Sequence, residues 1–134
     1  LRELFEEKII PEKIPTLGIC LGMQFIAEFY GISVNEVEEP VHGSQVGIEH
    51  SNDRLFNSIP TEFNAVRYNS LGIVNKDKAN SNIQYIAFEK GTGSIMALKH
   101  SLLPLVGLQY HPESFLSEYG KEIINNFFEI YVEN

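Results

Sequence analysis

The stretch Thr16-Leu17-Gly18-Ile19-Cys20-Leu21-Gly22-Met23-Gln24 decides how the rest of this chain is read. It follows Pro15, and Thr16 to Cys20 is a short apolar run suited to a buried parallel strand. From Gly22 to Tyr30, the residues Ile26, Phe29 and Tyr30 share one helical face, with Gly31 placed as a C-terminal cap. Strand, sharp turn with two glycines, and helix thus follow one another without a linker. That order predicts an α/β architecture with parallel strands at its centre.

Outward from this unit, Leu1, Leu4 and Phe5 recur at helical spacing before Pro11 and Pro15 break the pattern. The middle of the chain predicts strands at Ser33 to Val37, Gln45 to Glu49, Phe63 to Tyr68, Gln84 to Phe88 and Ser94 to Leu98. Glu89 to Gly93 (EKGTG) reads as a hairpin turn; its glycines lack the following helix and lysine of a phosphate loop. Leu105 to Tyr110 is a further apolar strand. Ser117 to Val132 is a closing helix whose Ile123, Ile124, Phe127, Phe128 and Tyr131 form one core-facing stripe. No repeat, low-complexity segment or linker divides residues 1–134, which read as a single domain. Right-handed crossovers require a helix on each face of the sheet. With only two good helices visible and Leu1 rather than Met at the start, the expectation is a domain lacking part of its N-terminal sequence.

Composition narrows the function classes. With 134 residues, 43% of them hydrophobic, the chain can bury a sizeable core. Eighteen acidic against ten basic side chains give a formal charge of −8, which repels phosphate backbones and argues against nucleic-acid binding. No apolar run approaches bilayer-spanning length. The single cysteine allows no internal disulfide, compatible with a reducing, cytoplasmic setting. His42, His50, His100 and His111 lie far apart and form no metal-ligand spacing with Cys20.

Gly18-Ile19-Cys20-Leu21-Gly22 is a G-x-C-x-G pattern, the cysteine counterpart of a serine nucleophile elbow. A turn this tight leaves no room for a Cβ at either flank, so both glycines are expected to be needed. The following helix N-terminus should favour thiolate and hold the Cys20 pKa well below the free value of about 8.5. The N–H of Leu21 would be an oxyanion donor. Read alone, Cys20 suits a buried structural cysteine equally well. The second segment is Gln109-Tyr110-His111-Pro112-Glu113-Ser114, at the end of an apolar strand. In extended backbone His111 and Glu113 point to one side, so the imidazole could act as base and acid while the carboxylate fixes its tautomer.

Pro15 to Gln24 and Gln109 to Ser114 resemble the two signature blocks of class I (triad) glutamine amidotransferases. The resemblance runs through nearly the whole chain. It implies a flavodoxin-like three-layer sandwich with a mostly parallel central sheet plus antiparallel strands. It also implies a Cys20–His111–Glu113 triad, with Gln24 and the Leu21 backbone on the substrate glutamine and no cofactor. Pro40-Val41-His42-Gly43 and Arg67-Tyr68-Asn69-Ser70-Leu71 resemble elements of the glutaminases of anthranilate and aminodeoxychorismate synthases. In that subgroup Ser70 and Leu71 would contact glutamine, and ammonia would pass to a chorismate-using synthase, either a separate chain or a fused domain. Three departures stand out. Asn69 replaces a histidine, Ser44 stands where lysine is common, and the family's N-terminal strand–helix portion with its glycine loop is not in this sequence. The last implies that residues 1–134 are inactive by themselves. The alternative readings are other acceptor synthases (carbamoyl-phosphate, GMP or CTP), a free-standing γ-glutamyl hydrolase and a non-catalytic interaction subunit.

Overall fold

The computed structural model describes residues 1–37, 43–73 and 82–133. Helix α1 (Arg2–Leu4) runs on into a π-helical turn at Phe5–Ile9. Strand β1 (Thr16–Ile19) then leads through Cys20 into helix α2 (Leu21–Phe29). The strands that follow are β2 (Asn35–Glu36), β3 (Ser44–His50), β4 (Glu62–Arg67), β5 (Leu71–Gly72), β6 (Ile83–Glu89), β7 (Ile95–His100) and β8 (Leu105–Leu108). Helix α3 (Gly120–Phe127) closes the chain and continues as a π-helical turn at Phe128–Val132.

Six strands form one sheet in the order β1-β8-β7-β6-β3-β4, and β2 pairs with β5 in a separate short ladder. β1 and β8 are parallel. The β8–β7, β7–β6, β6–β3 and β3–β4 pairs are antiparallel. The α/β class and the parallel pairing at the cysteine strand agree with the sequence reading. Among the described residues, however, the sheet is mixed rather than mostly parallel. The cause is connection length: a tight turn joins β6 to β7 and four residues join β7 to β8, and such links can only reverse the chain. The turn after Glu89 is the expected one, with Gly91 and Gly93 both at positive φ and Gly93 N–H donating to the Glu89 carbonyl at 3.0 Å.

Period-two alternation along β8 splits the core between the two sheet faces. Leu105 joins Phe5, Met23, Ile26 and Leu98 on the α2 side. Val106 and Leu108 join Ile48, Phe63, Met96, Ile123 and Phe127 on the α3 side. α1 is seated on α2 by Phe5, whose ring meets Phe25 at 5.2 Å and Phe29 at 4.8 Å, edge to face. Full burial of each such ring contributes about 1.5–3 kcal/mol. No helix among the described residues is long and apolar enough to cross a membrane.

Several boundaries depart from expectation. Only Asn35–Glu36 of the Ser33–Val37 segment is strand, because its partner β5 offers just two residues. The closing helix starts at Gly120 rather than Ser117. Tyr119 holds a left-handed conformation (φ 57°), and Gly120 is packed so closely on Pro112 that an added Cβ would lie 1.8 Å from its carbonyl oxygen. His42 lies outside the described residues.

Two glycines bring α2 down onto the sheet. A Cβ on Gly18 would lie 2.6 Å from the Gly22 carbonyl carbon, and one on Gly107 would lie 2.6 Å from Met23 Cγ. Gly22, expected to be equally necessary, has nothing within 4 Å of an added Cβ. The reason is directional: the near-contact runs from the strand glycine into the helix backbone. Gly18→Ala should therefore destabilise the fold by about 2–3 kcal/mol. Gly22→Ala should be neutral or stabilising by up to about 1 kcal/mol. Urea denaturation midpoints of the two variants test this, and equal losses would refute the asymmetry.

Candidate active site

Cys20 sits between the end of β1 and the first turn of α2 with φ 56° and ψ −102°, outside the regions that side-chain-bearing residues favour. Holding such a residue costs on the order of 1–3 kcal/mol. Two hydrogen bonds enforce it. Cys20 N–H donates to the Leu108 carbonyl at 2.7 Å, and the Cys20 carbonyl accepts from Gln24 N–H at 3.1 Å. One fixes the residue to β8 and the other starts the helix, so the side chain is left as the free direction. The sulfur is half-buried.

A cavity of about 180 Å³ opens beside it, lined by Cys20, Leu21, Gln24, Tyr68, Asn69, Ser70 and Leu71. Its size suits an amino-acid-sized ligand better than the roughly 300–1,000 Å³ of drug-sized sites. The inner wall is an ordered chain of amides. Gln24 Nε2 donates to the Leu71 carbonyl at 2.8 Å and to Gln109 Oε1 at 3.1 Å. Gln109 Nε2 donates in turn to Cys20 Sγ at 3.5 Å. Asn69 Nδ2 also donates to the Leu71 carbonyl, at 2.8 Å. Both amide hydrogens of Gln24 are thus spent within the protein, leaving its Oε1 as the group available to a ligand.

Behind this wall lies a buried ion pair. Arg67 and Glu89 are 1% and 8% exposed, with Nε and Oε1 2.8 Å apart. Arg67 Nη1 also donates to the Asn69 backbone carbonyl at 3.1 Å. The pair anchors the end of β4 against the end of β6, and so sets the start of the Tyr68-to-Leu71 segment that walls the cavity.

His111 and Glu113 are paired, Nδ1 to Oε2, at 2.7 Å. Their proximity agrees with expectation, but the backbone route does not. Ser114 N–H returns to the His111 carbonyl at 3.2 Å and Ser117 Oγ donates to the same oxygen at 2.7 Å, so a turn rather than extended strand brings the carboxylate round. His111 N–H donates to the Val66 carbonyl at 2.9 Å, which fixes the imidazole at the sheet end. With Nδ1 engaged by Glu113, Nε2 is the nitrogen left to exchange a proton. The Tyr68 ring links the two halves of the site: it lines the cavity and meets the His111 ring edge to face at 5.1 Å.

Of the residues expected from sequence, Cys20, Leu21, Gln24, Ser70 and Leu71 meet at one cavity, while His111 and Glu113 stand together beyond Tyr68. No hydrogen bond joins His111 to Cys20 among the described residues; the side chain that donates to the sulfur is Gln109. Sequence reasoning gave Gln109 no role, although its place beside the His-Pro-Glu segment was visible. The expected low thiol pKa is also corrected. Burial pushes the Cys20 thiol up, the Leu21 N–H and the Gln109 amide act against that rise, and the charge of Glu113 adds to it. Loss of hydration outweighs one helix terminus. Among the described residues, no group of three or more His, Cys, Asp or Glu could hold a metal.

A family model described as "Glutamine amidotransferase class-I" matches residues 2–130. "Aminodeoxychorismate/anthranilate synthase component 2" of Bacillus subtilis is 41% identical over 119 residues, covering 89% of this chain and 60% of that protein. "Anthranilate synthase component 2" of Mycobacterium tuberculosis is 37% identical over 113 residues, covering 84% of this chain and 48% of that protein. The chain therefore spans about half to three-fifths of the length of these two relatives. Among solved structures, a protein from Thermoplasma acidophilum described as one subunit of a GMP synthase superposes with a TM-score of 0.81 at 28% identity, covering 91% of this chain and 59% of that one.

The raised thiol has a measurable sign. A proton held more tightly means that, without substrate, the thiolate fraction at pH 7 is below that of free cysteine. The iodoacetamide labelling rate of Cys20, followed against pH, should have its midpoint above the ordinary value of about 8.5. A midpoint below about pH 8 would restore the helix-dipole expectation.

Proposed function

Because the chain belongs to the class I glutamine amidotransferase family, we propose that it carries the nucleophile-bearing part of a glutaminase that passes ammonia to a chorismate-aminating synthase. Residues 1–134 form part of one such domain in this reading. Its site acts through Cys20, His111 and Glu113, with Leu21, Gln24, Ser70 and Leu71 around the substrate. The observation that carries it is the strained Cys20 at a strand–helix junction, facing a cavity walled by Gln24, Ser70 and Leu71.

The chemistry follows from the groups present. The raised thiol needs a base at the moment of reaction, and His111 Nε2 takes its proton while Glu113 holds the other ring nitrogen. Cys20 sulfur attacks the side-chain amide carbon of glutamine, and the Leu21 N–H, already directed at the sulfur, stabilises the oxyanion. His111 returns the proton to the leaving nitrogen, which departs as ammonia and leaves a γ-glutamyl thioester. Water, deprotonated by His111, attacks the thioester; glutamate leaves and the proton goes back to sulfur. Gln24 Oε1 is suited to accept from the substrate's ammonium group.

The chorismate-using acceptor is supported by the names of the relatives from Bacillus subtilis and Mycobacterium tuberculosis. A cytoplasmic setting fits the single, reduced cysteine. The likeness to a GMP synthase component favours purine amination as the second reading, at lower identity.

Cys20→Ala in the intact protein, assayed with its synthase and chorismate, should lower glutamine-dependent product formation by at least about 10³-fold. Product formation from ammonium salts should be unchanged. Full glutamine use by that variant would rule out Cys20 as nucleophile, and a synthase indifferent to chorismate would transfer the assignment to another acceptor. Glu113→Gln should cost on the order of 10²–10⁴ in kcat, since it loses the carboxylate that fixes the imidazole tautomer.

A further inference from the structure

The proposed triad does not use Gln109, yet this is the side chain in contact with the sulfur. It is fully buried and both ends of its amide are engaged. An amide can present either end to a neighbour, and here its orientation is dictated. Gln24 Nε2 can only donate, so it must face Gln109 Oε1 and thereby turns the Gln109 NH₂ toward Cys20. Gln24 is itself aligned by the Leu71 carbonyl. Gly72 keeps the space tight: a Cβ there would sit 3.1 Å from Asn69 Nδ2 and 3.7 Å from Gln109 Oε1. Three hydrogen bonds thus run from the cavity's Leu71 wall to the nucleophile.

We propose that Gln109 is a positioning residue that holds the Cys20 sulfur through its amide NH₂ and, by way of Gln24, couples the state of that sulfur to the Leu71 wall against which the substrate binds. The proposal rests on Cys20 being the nucleophile for its catalytic meaning, though not for its geometry. An amide donor favours the anionic sulfur over the thiol. Gln109 and the Leu21 N–H therefore oppose the two influences that keep the proton on, which are burial and the charge of Glu113. Tyr68 lines the cavity, and its ring meets that of His111, whose imidazole pairs with Glu113. A ligand that pulls on the Leu71 carbonyl or on Gln24 would reorient Gln109 and change how readily the thiol ionises. A contact at the cavity wall is thereby felt at the sulfur without touching it.

The test is the pH profile of iodoacetamide labelling at Cys20 in the intact protein, read by mass spectrometry of the Cys20 peptide. Gln109→Met keeps the bulk and removes the donor; its midpoint should rise by about 0.5–1 pH unit, a three- to tenfold loss of thiolate at neutral pH. Gln109→Glu is isosteric and can still accept from Gln24, but it replaces the donor with a negative charge, so its midpoint should rise further. Gln24→Met should give a smaller rise in the same direction, and the double variant Gln24→Met, Gln109→Met should add nothing to Gln109→Met alone. In kinetics, both Gln109 variants should lose kcat more than they change KM. Midpoints within about 0.2 unit of the parent in folded Gln109 variants, checked by circular dichroism, would overturn the proposal. Additive shifts would overturn the coupling through Gln24. Labelling is read without substrate, so failure of the nucleophile assignment would appear separately, as glutamine turnover surviving Cys20→Ala.

Discussion

The site depends on one pairing, the parallel register of β1 with β8. Ile19 lies opposite Leu108, so the next residues along each strand, Cys20 and Gln109, leave the sheet side by side at the same end. The Cys20 N–H bond to the Leu108 carbonyl is the last rung of that ladder and the first constraint of the elbow. A one-residue slip would turn every side chain of β1 to the opposite face and separate sulfur from amide. Because parallel strands end together, groups 89 residues apart in sequence share one corner of the molecule.

That corner is rich in buried polar groups, which are costly unless satisfied. The structure links them in series, although the Arg67 Nε–Glu89 Oε1 contact is an ion pair without hydrogen-bond geometry. Glu89 meets Arg67, Arg67 binds the Asn69 carbonyl, Asn69 and Gln24 bind the Leu71 carbonyl, and Gln24 aligns Gln109. A buried ion pair is weak support for stability and is better understood as fixing a geometry. Here it fixes the departure of the Tyr68-to-Leu71 segment from β4. The bulge-bearing β6–β7 hairpin supplies Glu89 for that purpose, so a turn remote from the cysteine takes part in shaping its cavity.

The electrostatics at Cys20 pull in opposite directions. Burial keeps the proton on Cys20, while Leu21 N–H and Gln109 are already placed for the anion. In the proposed glutaminase, this arrangement would limit adventitious reaction of an exposed thiolate and make ionisation wait for the base and for substrate at the wall. The asymmetric glycines serve the same end. Gly18 and Gly107 let α2 approach until its first turn lies over the strand ends, with Gly18 against the Gly22 backbone, whereas a Cβ on Gly22 itself would meet nothing within 4 Å.

Much of this was legible in the residues themselves. Apolar periodicity located β1, α2, β3, β4, β6 and β7 to within about two residues, and the G-x-C-x-G pattern marked the elbow, because strand, turn and helix preferences are local. The resemblance of two short blocks to a known family named the candidate residues. Other features could not be read from the chain. The mixed sheet follows from which strands pair, the Cys20 pKa shift follows from how much water is excluded, and the Arg67–Glu89 and Gln109–Cys20 contacts follow from register. The sequence alone determined that a strand, a tight glycine-flanked turn at Cys20 and a helix follow one another, and that His111 and Glu113 stand two residues apart, since those facts reside in adjacent residues. The tertiary structure decided what touches the sulfur and in which direction its proton is biased, since contact and desolvation belong to segments that meet only after folding.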